Sequence, residues 1–254
     1  MGYTERPLEH PAIACVWSNG STGGHVQRVV PDGCTDLMWV PGSGLLVAGP
    51  DTRAHLSPLR AGGRIVGVRL RPGAAAAWGV PADGLRDARV PAEALWGDEA
   101  RRLAERLAAL EAGAHDVAGP PVAGAAYAAG PPTTAVEAAL LAAVLARRPA
   151  PDPLVAAAAA ALARPRTRVT GLAAALGISE RTLRRHFHAA VGYGPKTLAR
   201  VLRFQRLLAL PDAPLAERAL DAGFADQAHM TAEVTRLAGV PPLRLLADRA
   251  PLAA

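Results

Sequence analysis

Arg181, Arg184 and Arg185 stand three and four residues apart, the spacing of neighbours on one face of a helix, shortly after Gly177. Arginine on such a face offers two parallel N–H donors that fit O6 and N7 of guanine in the DNA major groove. Thr182 and His188 share the neighbourhood, and Ser179 precedes the set. A second stretch begins at Gly223, where Asp226, Gln227, Ala228, His229, Thr231 and Ala232 take up a similar register. A glutamine amide can pair bidentately with N6 and N7 of adenine. Between the two stretches, Lys196, Arg200, Arg203 and Arg206 recur along one segment. The DNA-contact candidates are Ser179, Arg181, Thr182, Arg184, Arg185, Lys196, Arg200, Asp226, Gln227, Ala228, His229 and Thr231.

Side chains read bases only if a scaffold holds them outward, and the flanking residues describe one. A small residue stands four positions before each glycine, Ala173 before Gly177 and Ala219 before Gly223. In a helix-turn-helix the two helices cross so closely that only a small side chain fits, and the turn needs a residue tolerant of positive φ. Ile178 and Phe224 would then plug the core, while Ser179 and Asp226 cap the second helix of each motif. Leu183 with Phe187, and Met230 with Val234, are i, i+4 pairs that hold that helix down and leave its other face free. The patterning predicts helices over 134–147, 152–163, 172–176, 180–190, 195–210, 214–222, 226–238 and 241–248. The helix at 195–210 can space the motifs so that one chain spans two major-groove faces about 34 Å apart.

With these residues in view, the C-terminal part resembles the DNA-binding domain of the AraC/XylS family of transcription regulators. The resemblance covers roughly residues 152–248. It rests on the first motif, the entry Val191-Gly-Tyr-Gly-Pro195, the run Gly223-Phe-Ala-Asp-Gln-Ala-His-Met and Gly239-Val-Pro-Pro, in that order. It implies that Arg181, Arg184, Arg185 and Gln227 with its neighbours face bases. The second motif departs from the family pattern, with Ala232 where a polar reader is usual and Met230 and Val234 for the usual core aromatics. The first motif is therefore expected to carry most of the discrimination and the second mainly to position the chain.

The N-terminal part has a different texture. Short β-prone runs at 12–17, 25–30, 35–40, 45–48 and 65–70 are separated by Asn-Gly, Pro-Asp-Gly, Pro-Gly-Ser-Gly, Gly-Pro-Asp and Gly-Gly, which predicts a small sandwich or barrel. A short helix is expected over 73–78 and a longer one over 91–112, with Leu103, Leu107 and Leu110 as its buried stripe. The segments Pro31-Asp-Gly-Cys-Thr-Asp-Leu37, Ala48-Gly-Pro-Asp-Thr52, Gly67-Val-Arg-Leu-Arg-Pro-Gly73 and Leu95-Trp-Gly97 resemble an uncharacterised sensor-like domain found in front of AraC-type domains. In the wider family a cupin-like barrel that binds an effector or mediates dimerisation holds this place. Candidate effector-binding residues are His25, Cys34, Arg69 and Arg71, the arginines for an anionic ligand. Cys34 also suggests an alternative, a DNA-repair regulator whose thiol accepts an alkyl group. A sequence-indifferent architectural DNA binder is a third reading.

The chain is thus expected to be α+β, a β-rich domain at 1–115 and an all-α domain at 152–249, joined by a Pro/Gly/Ala linker at 116–132 and a connecting helix at 133–151. Charge follows that division. Residues 150–254 carry 14 basic and 8 acidic side chains, whereas 1–149 carry 14 of each, so the whole excess of +6 lies beside the predicted reading helices. The predominance of Arg over the single Lys196 follows composition and is not itself a phosphate signal. No export signal, membrane-length apolar run, disulfide framework or zinc spacing is present, since Cys15 and Cys34 are the only cysteines. The expected setting is the cytoplasm, without catalytic chemistry, metal or cofactor. Double-stranded promoter DNA is the expected partner, with RNA polymerase, a small-molecule effector and a second copy of the chain as further candidates and no membrane.

Overall fold

In the computed structural model, which describes residues 2–116, 134–165 and 167–249, the chain forms a β-rich N-terminal domain and an all-helical C-terminal domain. The first contains β1 (Tyr3–Pro7), β2 (Ile13–Gly20), β3 (His25–Val29), β4 (Thr35–Val40), β5 (Gly44–Ala48), β6 (His55–Leu59), β7 (Arg64–Leu70) and β8 (Arg89–Pro91). Six strands form an antiparallel sheet in the order β1-β2-β7-β4-β5-β8, and β3 pairs with β6 as a separate two-stranded ribbon. Register aligns apolar residues across the sheet: Val16 and Leu37 both oppose Val68, and Leu37 opposes Val47. All four are buried, which produces one continuous apolar face.

That face is covered by two 3-10 turns (Ala75–Trp78 and Ala82–Leu85) and by α1 (Ala92–Trp96), α2 (Asp98–Asp116) and α3 (Ala135–Ala146). The expected helix over 91–112 is broken at Gly97, whose φ of 53° ends α1 and lets α2 begin on a new axis. Leu107 is fully buried in this core, with Leu103 and Leu110 against it, so the stripe packs on its own domain. The helix expected to connect the domains does something else. As α3 it presses Val136, Leu140, Leu141 and Val144 into the N-terminal core, and Glu137 meets Arg64 of β7 at 2.7 Å. Thr134 and Glu137 close a reciprocal capping box at its start. Within the linker expected at 116–132, residues 117–132 lie outside the described residues.

The C-terminal domain consists of α4 (Pro153–Leu162), α5 (Leu172–Ala175), α6 (Glu180–Val191), α7 (Pro195–Ala209), α8 (Leu215–Ala222), α9 (Gln227–Ala238) and α10 (Pro242–Arg249). Leu198, Val201, Phe204 and Leu207 of α7 are fully buried in a core shared with Leu183 and Phe187 of α6 and Met230 and Val234 of α9. Pro195 starts α7 at its first turn, where a missing N–H costs nothing, and Gly192 ends α6 in the left-handed region.

Candidate nucleic-acid interface

Both helix-turn-helix motifs close by the same hydrogen bond. The Ala173 carbonyl accepts the N–H of Ile178 at 3.0 Å, and the Ala219 carbonyl accepts that of Phe224 at 2.9 Å. Each bond bridges a glycine at positive φ, +68° at Gly177 and +92° at Gly223. The geometry is a helix ending in which a left-handed residue lets the chain reverse and the next, apolar residue folds back on the core. Phe224 is buried and Ile178 packs at the edge of the core. Ala173 and Ala219 are buried, as a close crossing requires.

The turns differ by one residue. Ser179, two positions after its glycine, accepts the N–H of Thr182 at 3.1 Å, whereas Asp226, three positions after its own, accepts that of His229 at 2.7 Å. The extra residue, Ala225, would leave an unpaired N–H, and His229 Nδ1 accepts it at 3.3 Å while the ring meets Phe224 edge-on. His229 and Asp226, expected at the DNA, thus build the turn that presents α9. Ser179 and Thr182 do the same for α6, where Thr182 is half-buried and its hydroxyl lies 2.9 Å from that of Ser179.

On α6 the buried residues are Leu183, Phe187, Ala190 and Val191, and the opposite face presents Arg181, Arg184 and Arg185 to solvent. Among the described residues no carboxylate pairs with any of the three. His186, on the flank, bonds Asp152, the cap of α4, at 2.6 Å. Burial pushes the Asp152 carboxyl up, but the His186 hydrogen bond and the Val155 and Leu154 N–H groups outweigh it and hold it below the ordinary carboxylate range. On α9 the outer face is Gln227, Ala228, Thr231, Ala232, Thr235 and Arg236, which line an open surface hollow. The Thr231 hydroxyl bonds back to the Gln227 carbonyl at 2.8 Å, so this half-buried side chain commits its donor to the helix.

The cations of α7 divide by role. Lys196 is exposed, at the start of the helix. Arg200 is half-buried and meets Glu233 of α9 at 3.5 Å, Arg203 lies over the Phe224 ring at 5.3 Å, and Arg206 donates to the carbonyls of Ala222 and Ala163 at 2.6 and 2.7 Å. The last three therefore fasten α7 to the second motif and to the end of α4. Arg218, which sequence reasoning passed over, is buried on α8 and donates to the Leu207 and Leu210 carbonyls at the end of α7. A charged residue in an otherwise apolar helix phase was its only signal.

The N-terminal candidates do not assemble into one pocket. His25 is exposed on β3, and Arg71 is exposed and donates to the His10 carbonyl. Arg69 and Cys34 do lie in one cluster, but its chemistry differs from that expected. Arg69 faces Glu5 at 3.2 Å, Asp32 at 3.3 Å and Asp36 at 3.1 Å, so its donors are taken by carboxylates and an anionic effector would meet net negative charge. Burial pushes both thiols up, Cys15 to about 12 and Cys34 well above its ordinary value, where the Asp32 carboxylate adds to the effect. A thiol kept protonated beside carboxylates is the reverse of the electropositive surroundings that activate cysteine, which speaks against an alkyl acceptor at Cys34.

Residues 172–248 match the family model described as a helix-turn-helix domain, and residues 6–91 match a domain of unknown function (DUF6597). The C-terminal match lies on both helix-turn-helix motifs, so the chain carries a helix-turn-helix domain behind that N-terminal domain. No curated protein matches the chain significantly. Among solved structures, it is similar to one titled a probable AraC family transcriptional regulator from Rhodopseudomonas palustris CGA009, at 27% identity, covering 37% of this chain and 92% of that one, with a TM-score of 0.31. It is also similar to ToxT from Vibrio cholerae, at 10% identity, covering 99% of this chain and 100% of that one, with a TM-score of 0.46. Among the described residues no helix is long and apolar enough to cross a membrane.

Proposed function

We propose that the chain is a transcription regulator that binds promoter DNA sequence-specifically, with α6 and α9 entering major-groove faces about one helical turn apart. The observation that carries this reading is the outward set Arg181, Arg184 and Arg185, paired with no carboxylate among the described residues, on a helix whose opposite face is locked in the core. Guanine is the base such a face selects. On α9, Gln227 suits adenine, and the small apolar surfaces of Ala228, Ala232 and the threonine methyls suit the thymine methyl group. Lys196 serves as a phosphate contact. Ser179, Thr182, Asp226 and His229 act by building the turns, and Arg200 by positioning α9.

Selection of bound duplexes from a random pool tests the reading. Enrichment of a bipartite site, with a guanine-containing box beside an A·T-rich one, is the expected result; recovery of the pool unchanged is the result that refutes it. A small effector at the N-terminal domain would modulate binding through the contacts between the domains. A ligand-dependent rise in melting temperature of the full chain, accompanied by a change in DNA affinity, is its test. Polymerase contact and dimerisation are further proposals, each read directly by co-purification and by sedimentation.

A further inference from the structure

Several turns of the N-terminal domain converge on the helical domain, and Arg28 of β3 with residues 50–54 and 82–86 reach the C-terminal ends of the two reading helices. At the end of α9, Arg28 of β3 donates from Nη1 to the Ala238 carbonyl at 2.9 Å, and the Ala54 N–H, just before β6, donates to the Leu237 carbonyl at 2.6 Å. These are carbonyls left free by the helix itself, and the guanidinium suits the negative end of the helix dipole. At the end of α6, Arg86 donates from Nη1 to the Gly192 carbonyl at 3.3 Å. A side chain at Gly192 would come within 2.8 Å of the Ala82 carbonyl and of Pro50 Cγ, so only glycine permits that approach.

The turns that make these contacts are themselves held. Arg89 binds both oxygens of Asp51 at 2.7 and 2.6 Å, and Asp87 accepts from the backbone and hydroxyl of Thr52. Between the two ends, Gly33 faces Leu198 of α7 and the buried Tyr193, the Gln205 side chain donates to the Pro31 carbonyl, and the Asp152 N–H donates to the Gly73 carbonyl at 2.9 Å. Residues 31–37, 48–52 and 67–73, singled out in the sequence as sensor-like, therefore supply much of the docking surface. The reading faces, in contrast, lie on the opposite flank of each helix from the core and stay exposed.

We infer that the N-terminal domain is a spacing brace: by holding α6 and α9 at their C-terminal ends it sets the separation between the two DNA boxes the chain accepts, with Arg28 and Arg86 as positioning residues. The inference rests on the DNA-binding reading above and adds to it a role for the N-terminal domain. Without the brace, the two motifs are related through α7 and the apolar core they share. One added base pair moves a box by about 3.4 Å and turns it by about a tenth of a helical turn, a displacement that a braced pair of helices cannot follow.

The test uses the full chain and the bipartite duplex recovered by selection, remade with one base pair added or removed between the boxes. The chain as it stands is expected to lose about tenfold or more in affinity on either change, and the Arg28→Ala/Arg86→Ala variant about threefold or less. Affinity for a duplex carrying the guanine box alone is expected to be the same in both, which a loss of folding would not leave intact. Arg28→Lys, which keeps a donor and a charge, is expected to retain the spacing preference that Arg28→Ala weakens. A doubly substituted chain that discriminates spacing as sharply as the original overturns the inference while leaving DNA binding standing. Absence of any selected duplex defeats the DNA-binding reading itself, and the two failures are thereby separate.

Discussion

At the scale of the residue, the same side-chain type does different work according to what surrounds it. Arg185 and Arg181 face solvent, Arg200 meets Glu233, and Arg206 holds two helix ends. Arg185→Ala is accordingly expected to weaken specific binding by ~1–3 kcal/mol and to relax selection at one guanine, read by titration against duplexes that vary at that position. Lys196→Ala should weaken binding to all duplexes alike and lower the slope of log affinity against log salt by about 1. Arg200→Ala should leave that slope nearly unchanged, because its partner is a carboxylate of α9, and should show instead as earlier thermal unfolding. The Asp152–His186 contact makes a pH prediction. Asp152 has its carboxyl pKa lowered by folding, so its stabilising contribution is complete above the ordinary carboxylate range, near pH 4, and is lost as pH falls below that range. Denaturant titrations between about pH 6 and pH 3 should therefore show a shallower acid loss in Asp152→Asn than in the unaltered chain.

At the scale of the element, the helix-turn-helix motifs were legible because their requirements are local. Ala173 and Ala219, Gly177 and Gly223, and the caps Ser179 and Asp226 all act within a dozen residues, and the helices fall within a residue or two of their expected bounds. The same locality makes them fragile. Ala219→Leu is expected to cost ~1–3 kcal/mol through overpacking at the α8–α9 crossing, and Asp226→Ala ~0.5–2 kcal/mol through loss of the cap, both measurable by denaturant unfolding. Strands β2, β3, β4, β5 and β7 were legible in the same way. Three others were not, for physical reasons: β1 is an exposed edge strand of sequence YTERP, β6 carries Pro58 on the two-stranded ribbon, and β8 is three residues ending in Pro91. Edge strands tolerate charge and proline, so they lack the alternation that marks a buried strand.

At the scale of the whole molecule, legibility ended where contacts join residues far apart in sequence. Nothing near Arg28 in the chain points to Ala238, and nothing near Gly192 points to Pro50 and Ala82; turns of unremarkable composition meet only once both domains have folded. The same distance effect misassigned Arg69, whose three carboxylate partners come from β1, β4 and the turn before it. The domains so joined present two outward helix faces of unlike chemistry, one cationic and one small and largely uncharged. The most direct measurement of that arrangement is base-interference mapping on the complex of the full chain with its selected duplex. Methylation of guanine N7 should block binding in one box and replacement of thymine by uracil should weaken it in the other, about one helical turn away, with Arg181→Ala and Arg184→Ala erasing the first pattern alone. Interference confined to a single box, or a guanine pattern that survives both substitutions, would contradict the account.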